Sequence, residues 1–240
     1  MLRQTLQSPE DIEQLIAQWG FLPFFAGEID GFSIEEHAAA ECWFPDDSVE
    51  GVWEWKGPVI VEGDCAYGKF YQQKACFVSM EWFPDFMNYR RSLFKPTTDE
   101  KRLLNTLREH RSLLSKELKR LCGYVRPREK RAANPLEKAL RKETNSVVRK
   151  PRSARPSFDT AITRLQMGAQ VVTADFEYQY DKQGKRYGWG VARYCTPEDF
   201  FGEERLICRR SPRESRQRLY EHLQKLLPKA TERQLNNIIG

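Results

Sequence analysis

Positive charge in this chain is concentrated where phosphate chemistry can use it. Residues 124–156 carry 11 Lys/Arg against 3 Asp/Glu, among them Arg126, Arg128, Lys130, Arg131, Arg149, Lys150 and Arg152. Each phosphate neutralised releases counterions, so such a segment binds nucleic acid without reading its sequence. Downstream, Arg164, Gln166 and Gln170 fall on an amphipathic helical pattern. Arginine matches the acceptor edge of guanine, and glutamine the donor and acceptor of adenine. Lys182, Lys185 and Arg186 then flank a turn, a placement suited to backbone or minor-groove contact. A solvated surface with an inserted loop is the alternative reading of the same charges.

The elements that must position these groups run from Thr98 to Tyr194. Thr98 is expected to cap a helix with Asp99 and Glu100 in its first turn and Leu103, Leu104 and Leu107 at helical spacing. Ser115 is expected to cap a second helix, Lys116 to Cys122, ended by Gly123. Past the basic segment, Asp159 is expected to cap a third helix, 159–170, with Ile162 and Leu165 inward. Thr160, Thr163, Arg164 and Met167 or Gln170 then face outward. The period next changes to two. Val172, Ala174, Phe176, Tyr178 and Tyr180 share a strand face, Asp181-Lys182-Gln183-Gly184 is turn chemistry, and Tyr187, Trp189 and Val191 return. Two helices, a third helix and a hairpin are the order of a winged helix-turn-helix, here interrupted by the basic segment. That order implies a helix for the major groove; winged helices also serve as protein-interaction modules.

The expected fold class is α+β: a winged helix-turn-helix core, a small mixed N-terminal domain over 1–95, the core over 96–202 with its insert at 124–156, and C-terminal helices over 203–240. Ser8-Pro9-Glu10-Asp11 opens a helix with Ile12, Leu15, Ile16 and Trp19 on one face, stopped by Gly20. Val59-Ile60-Val61 is expected as a strand, Ala66–Phe70 and Ala75–Ser79 as a second pair, and Trp82, Phe83, Phe86 and Tyr89 as an aromatic helix face. Leu136–Lys142 has room for about two helical turns, marginal in isolation. Ser211-Pro212-Arg213-Glu214 is a capping box for a helix bearing Leu219, Leu223, Leu226 and Leu227, and Thr231 opens a last short one.

Composition bounds the class. Forty per cent hydrophobic and 12% aromatic content in 240 residues predicts a folded protein. No run of about 18 apolar residues predicts a membrane span, and Met1-Leu2-Arg3-Gln4 does not start a signal peptide, so a cytoplasmic location is expected. Six cysteines without a C-x-x-C pair, and three distant histidines, give no metal or disulfide pattern. There is no P-loop or dinucleotide fingerprint. Residues 1–95 are net −9 and residues 124–156 net +8. That asymmetry is expected of a nucleic-acid binder whose contact surface lies in one half.

Several segments together resemble a bacterial family of AlkZ-related proteins: Trp53-Glu54-Trp55-Lys56-Gly57-Pro58, Cys65-Ala66-Tyr67-Gly68-Lys69-Phe70, Glu81-Trp82-Phe83-Pro84-Asp85-Phe86, Asn88-Tyr89-Arg90-Arg91, Leu113–Lys119, Arg164-Leu165-Gln166-Met167 and Tyr187-Gly188-Trp189-Gly190-Val191-Ala192. More distantly the chain is similar to AlkZ-type DNA glycosylases, which are built from winged-helix units and excise alkylated or crosslinked bases. The resemblance implies a duplex-DNA partner and no metal or nucleotide cofactor. Those glycosylases carry a catalytic Gln-apolar-Gln or Gln-apolar-Asp motif after an N-terminal helix. The matching place here reads Pro23-Phe24-Phe25. Neither residue type can hold water or stabilise charge on the sugar, so that activity is not carried over by these positions.

Two further readings of the residues stay open. Glu28, Asp30, Glu35 and Glu36 are candidates for a relocated glycosylase site, and Lys69 for an amine nucleophile; each is also an ordinary surface residue. Trp53, Trp55, Tyr67 and Trp82 are candidates for stacking on an unpaired base, or for core packing.

Overall fold

A computed structural model describes residues 5–45, 50–125, 156–184 and 186–240, with the backbone alone of Tyr187 and Trp189. Arg126, Arg128, Lys130, Arg131, Arg149, Lys150, Arg152 and Lys185 lie outside the described residues, as does the helix expected at Leu136–Lys142.

Local signals set the N-terminal elements. Ser8 Oγ accepts from Asp11 N–H while Asp11 accepts from Ser8 N–H, a capping box that opens α1 (Pro9–Trp19). Ile12, Leu15, Ile16 and Trp19 are its buried face, and Gly20 ends it at φ 73°. β1 (Phe21–Pro23) follows, then the short helices α2 (Ile34–His37) and α3 (Ala40–Trp43). β2 (Cys65–Tyr71) and β3 (Lys74–Ser79) form a hairpin through Gln72 and Gln73, both at positive φ. A two-residue hairpin turn matches the strand twist in that conformation. β3 pairs with both partners, giving an antiparallel sheet of order β1-β3-β2.

Val59-Ile60-Val61 is helical, contrary to the strand expected there. It belongs to α4 (Val52–Glu62), which carries Pro58 inside it. An interior proline costs about 3 kcal/mol. Burial of Val52, Trp55, Val59 and Ile60, at about 1.5–3 kcal/mol each, outweighs that cost.

Beyond α5 (Phe83–Leu93) the described residues run helix, strand, helix, then, past the undescribed 126–155, helix and hairpin. α6 (Thr98–His110) is capped by Thr97, one residue earlier than expected, because Glu100 then stands at the position that completes a capping box. β4 (Ser112–Leu114) is too short to show alternation in the sequence. α7 (Ser115–Leu121) contains Ser115 as its first helical residue. α8 (Phe158–Met167) is capped by Ser157, whose hydroxyl accepts from Thr160 N–H at 3.1 Å. Asp159 is thus within the helix, and Gln170 lies past its end. β5 (Val172–Tyr180) and β6 (Arg186–Cys195) form the expected hairpin, and β4 adds to β6, in the order β4-β6-β5. Register shifts between Thr173 and Asp175 and between Glu177 and Gln179 break the strict alternation expected of β5. α9 (Pro197–Phe201), α10 (Pro212–Leu226) and α11 (Glu232–Ile239) complete a mixed α+β architecture with two small antiparallel sheets. Among the described residues, no helix is long and apolar enough to cross a membrane.

One hydrophobic cluster joins the first sheet, α1 and α4 to the C-terminal helices through Phe21, Phe77, Phe86, Leu219, Leu223, Leu235 and Ile238. A second holds α6, α7 and α8 together through Leu103, Leu107, Leu118, Phe158, Ile162 and Leu165. Polar groups of α5 clasp these parts. Asp85 is 2% exposed and accepts from Ser215 Oγ at 2.8 Å, Arg218 at 2.6 Å and Arg210 at 3.1 Å. Arg90, also buried, donates to the carbonyls of Phe70, Met167, Ile238 and Ile239, and Arg91 to Ala169 O and the Glu198 carboxylate. The His222 ring stacks on Trp82 at 3.9 Å while its Nε2 meets Trp19 O at 2.8 Å.

Candidate functional site

The outer face of α8 carries Asp159, Thr160 and Arg164. Arg164 Nε lies 3.2 Å from the wholly buried carboxylate of Glu100, and its guanidinium lies 5.7 Å from the Phe94 ring. Half of its side chain remains exposed. α7 adds exposed Lys116 and Arg120, and Lys119 pairs with Asp159 at 3.2 Å. At the tip of the β5–β6 hairpin, Asp181 Oδ1 accepts Gln183 N–H and Gly184 takes φ 79°, leaving Lys182 exposed.

Gln166 and Arg186, also expected as contacts, are engaged within the protein. Gln166 is 2% exposed; its Oε1 accepts Lys69 N–H at 3.1 Å and its Nε2 donates to Ile162 O at 3.2 Å. It faces the first sheet, as does buried Thr163, whose Oγ1 accepts from Lys69 Nζ at 3.2 Å. The 3.6-residue repeat leaves Thr163 and Gln166 polar and invites an outward reading, but the second surface they meet is another part of the protein. Gly68 permits that approach, since a Cβ there would lie 2.8 Å from the Phe70 ring and 3.4 Å from Gln166 Oε1. Gln170 is half-buried, its N–H bonded to Leu165 O at 2.9 Å. Arg186 reaches back to α4, pairing with Glu54 at 3.0 Å and Glu50 at 3.7 Å and lying on the Tyr178 ring at 4.4 Å.

Pro23, Phe24 and Phe25 extend the edge of the first sheet. Pro23 sits opposite Cys76, and Phe24 N–H donates to Ala75 O at 2.9 Å. The acidic residues nearby serve the loop that follows: Glu35 accepts Ala26 N–H, Glu36 accepts Gly31 N–H and Ser33 Oγ, and Glu28 accepts from Asn237. Asp30 is exposed. Of the four aromatics considered for stacking, Trp55, Tyr67 and Trp82 are core, and Trp53 alone is half-exposed. Trp53 is part of a chain of rings with Phe24, Phe25 and Trp43, and Trp43 leads on to Phe44, which is 78% exposed.

Lys56 lies against these rings. Its Nζ is 4.3 Å from the Phe176 ring centroid, 5.0 Å from Trp53 and 5.9 Å from Phe24, and the residue is 9% exposed. Among the described residues the amine has neither a hydrogen-bond acceptor nor a carboxylate within ion-pair distance. Burial pulls its pKa down from the ordinary 10.5 to about 8, while the field of Glu54 works in the opposite direction. Ring faces attract an ammonium by about 0.5–2 kcal/mol, less than water does, so desolvation wins. The neutral amine is therefore reached at lower pH than for an ordinary lysine. The sequence reading left 53–58 without an assigned element ahead of the strand expected at Val59-Ile60-Val61. Residues three apart lie on one face of a helix, so α4 places Lys56 beside Trp53.

A family model described as AlkZ related matches residues 6–240. No curated protein and no solved structure matches the chain.

Proposed function

The chain belongs to the AlkZ-related family, and from that premise we propose that it binds duplex DNA through a winged helix-turn-helix, in a role linked to DNA repair. The observation that carries this reading is the connectivity α6-β4-α7-α8-β5-β6 with sheet order β4-β6-β5. It is the order in which a winged helix offers its third helix to the major groove and its hairpin to the backbone. In this reading Arg164 on α8 and Lys116 and Arg120 on α7 meet the duplex, Lys182 and Lys185 on the hairpin meet phosphates, and the basic segment 124–156 adds affinity without sequence preference. Gln166 and Arg186 belong to the scaffold of that surface, since each side chain is engaged within the protein, while Gln170, just past α8, stays a candidate contact. With Pro23-Phe24-Phe25 at the motif position, base excision by the route of the glycosylases has no residue to run it.

Fluorescence anisotropy with a labelled duplex of random sequence tests the reading. Binding that weakens steeply with salt supports it. No binding at low salt, together with a stable protein partner on pull-down, would replace it with an interaction module.

A further inference from the structure

Between α1 and the ends of β2 and β3 the protein has a cavity of about 410 Å³, within the range of small-molecule sites. α1 turns Ile12, Leu15, Ile16 and Trp19 inward, and Glu13 and Ala17 border the cavity together with Ile16. Asp64 and Cys65 enter it from the start of β2, and Ser79 and Glu81 from the end of β3. Cys65 and Ser79 are register partners, so their side chains share one face of the sheet. The Ser79 backbone is satisfied: its N–H donates to Gly20 O at 2.8 Å and its carbonyl accepts from Trp82 N–H at 3.0 Å. Its side chain is not. Ser79 is 6% exposed, and its Oγ has no hydrogen-bond partner among the described residues. The neighbouring Cys65 thiol has one, donating to Val59 O at 3.5 Å. A buried hydroxyl without a partner is unfavourable, and a donor brought by a ligand would relieve it.

The charge around that hydroxyl is negative. Asp64 and Glu81 are each paired, the first with Arg205 and the second with Arg218 at 3.5 Å. Glu13 is not. Among the described residues the charges acting on its carboxyl are those of Glu10 and Glu62, and burial together with both neighbours holds it above the usual carboxylate range. A cation would relieve that field. No group of three metal-ligating side chains converges among the described residues, and the cavity is far larger than a single ion needs, so the cation that fits is organic. We propose that this cavity binds a small aliphatic amine in its ammonium form. An ammonium has three donors and no acceptor. It gives hydrogen bonds to the Glu13 carboxylate and to Ser79 Oγ, and its methylenes lie along Ile16 and Ala17. In a diamine the second ammonium has Asp64 and Glu81 beside it. An anion would meet charge of its own sign, and a neutral ligand would leave Glu13 uncompensated. The site does not depend on DNA binding.

Titrating diaminobutane into the whole, isotope-labelled protein and following backbone amide shifts by NMR tests the assignment. Saturable shifts are expected, confined to residues 13–17, 64–65 and 79–81. Butanediol, of the same length without the charge, should produce none. Glu13→Gln should weaken binding by about fivefold or more, and Ser79→Ala by about threefold or more. Asp30→Asn, which removes an exposed acid outside the cavity lining, should leave it unchanged. Ser79→Ala should also melt no lower than the wild type, because its hydroxyl holds nothing within the protein. The proposal is overturned by an absence of saturable shifts at millimolar diaminobutane, by shifts spread evenly over the acidic surface, or by equal affinity in Glu13→Gln and wild type. A lower melting temperature for Ser79→Ala would also overturn it, since the hydroxyl would then have a structural partner.

Discussion

Gln166 holds the backbone N–H of Lys69 at 3.1 Å across 97 residues of sequence. The same amide donates back to Ile162 O within α8. A residue whose type suits adenine is thereby fixed between α8 and the first sheet, and Arg164, two positions earlier, is left as the polar group on the outer face. The two residues differ in task because helix phase, not residue type, decides which one meets solvent.

Replacing Gln166 by Leu should therefore act on stability and leave DNA affinity per folded molecule unchanged. It strips the part-buried N–H of Lys69 of its acceptor, at a cost of about 1 kcal/mol. Urea unfolding followed by tryptophan fluorescence measures the loss. An altered base preference at unchanged stability would restore Gln166 to the interface.

Asp85→Ala should be among the most damaging single substitutions in α5. It removes the shared acceptor of Ser215, Arg210 and Arg218. A fully buried pair broken on one side costs about 3–5 kcal/mol. Arg210 is half-exposed and recovers part of its hydration, so a loss of about 2–3 kcal/mol is expected. Limited proteolysis should then release α10 and α11 before the rest, since Asp85 and Arg90 tie them to α5 and its neighbours.

Much of this arrangement was legible in the sequence and some was not. The hairpin from Val172 to Cys195 announced itself through alternation and the Asp181–Gly184 turn. The capping boxes at Ser8, Ser211 and Thr231 fixed helix starts because a side chain three residues on must answer the cap. At Thr97 and Ser157 the expected cap lay one or two residues late, since Asp and Thr in a first turn imitate a cap. α4 was missed because β-branched residues after a proline imitate a strand, and only packing against the first cluster decides otherwise. Lys56 was missed with it. Asp85 and Arg90 showed as motif residues without a task and Gln166 as a base reader, because Ser215, Met167, Ile239 and Lys69, which they meet, lie 77 to 149 positions away.

Lys56→Met should stabilise the protein at pH 7. The ammonium is disfavoured in the folded state, where its pKa is about 8 against 10.5 when exposed. Below pH 8 both states are protonated and the folded protein carries the whole penalty. Between 8 and 10.5 the unfolded chain binds more protons, so wild-type stability rises with pH. The variant should thus gain about 1–3 kcal/mol at pH 7, shrinking toward zero near pH 10.5. Denaturant midpoints across that range check it. A gain independent of pH would mean the ammonium is not the cause.

Exchanging residues 126–155 for a neutral flexible linker should weaken DNA binding and flatten the slope of log K against log salt, because fewer counterions are then released. Affinity for any one sequence relative to another should not change. An unchanged slope would remove the basic segment from the interface.

The most direct test of the account is the affinity of the whole protein for an undamaged duplex, measured by anisotropy over a range of salt. The winged-helix reading predicts binding at low salt that falls linearly in log K against log salt, with a slope of about −3 to −8 if a few phosphates are neutralised by α7, α8, the hairpin and the basic segment. Absence of binding at about 50 mM salt, or an affinity indifferent to salt, would contradict it.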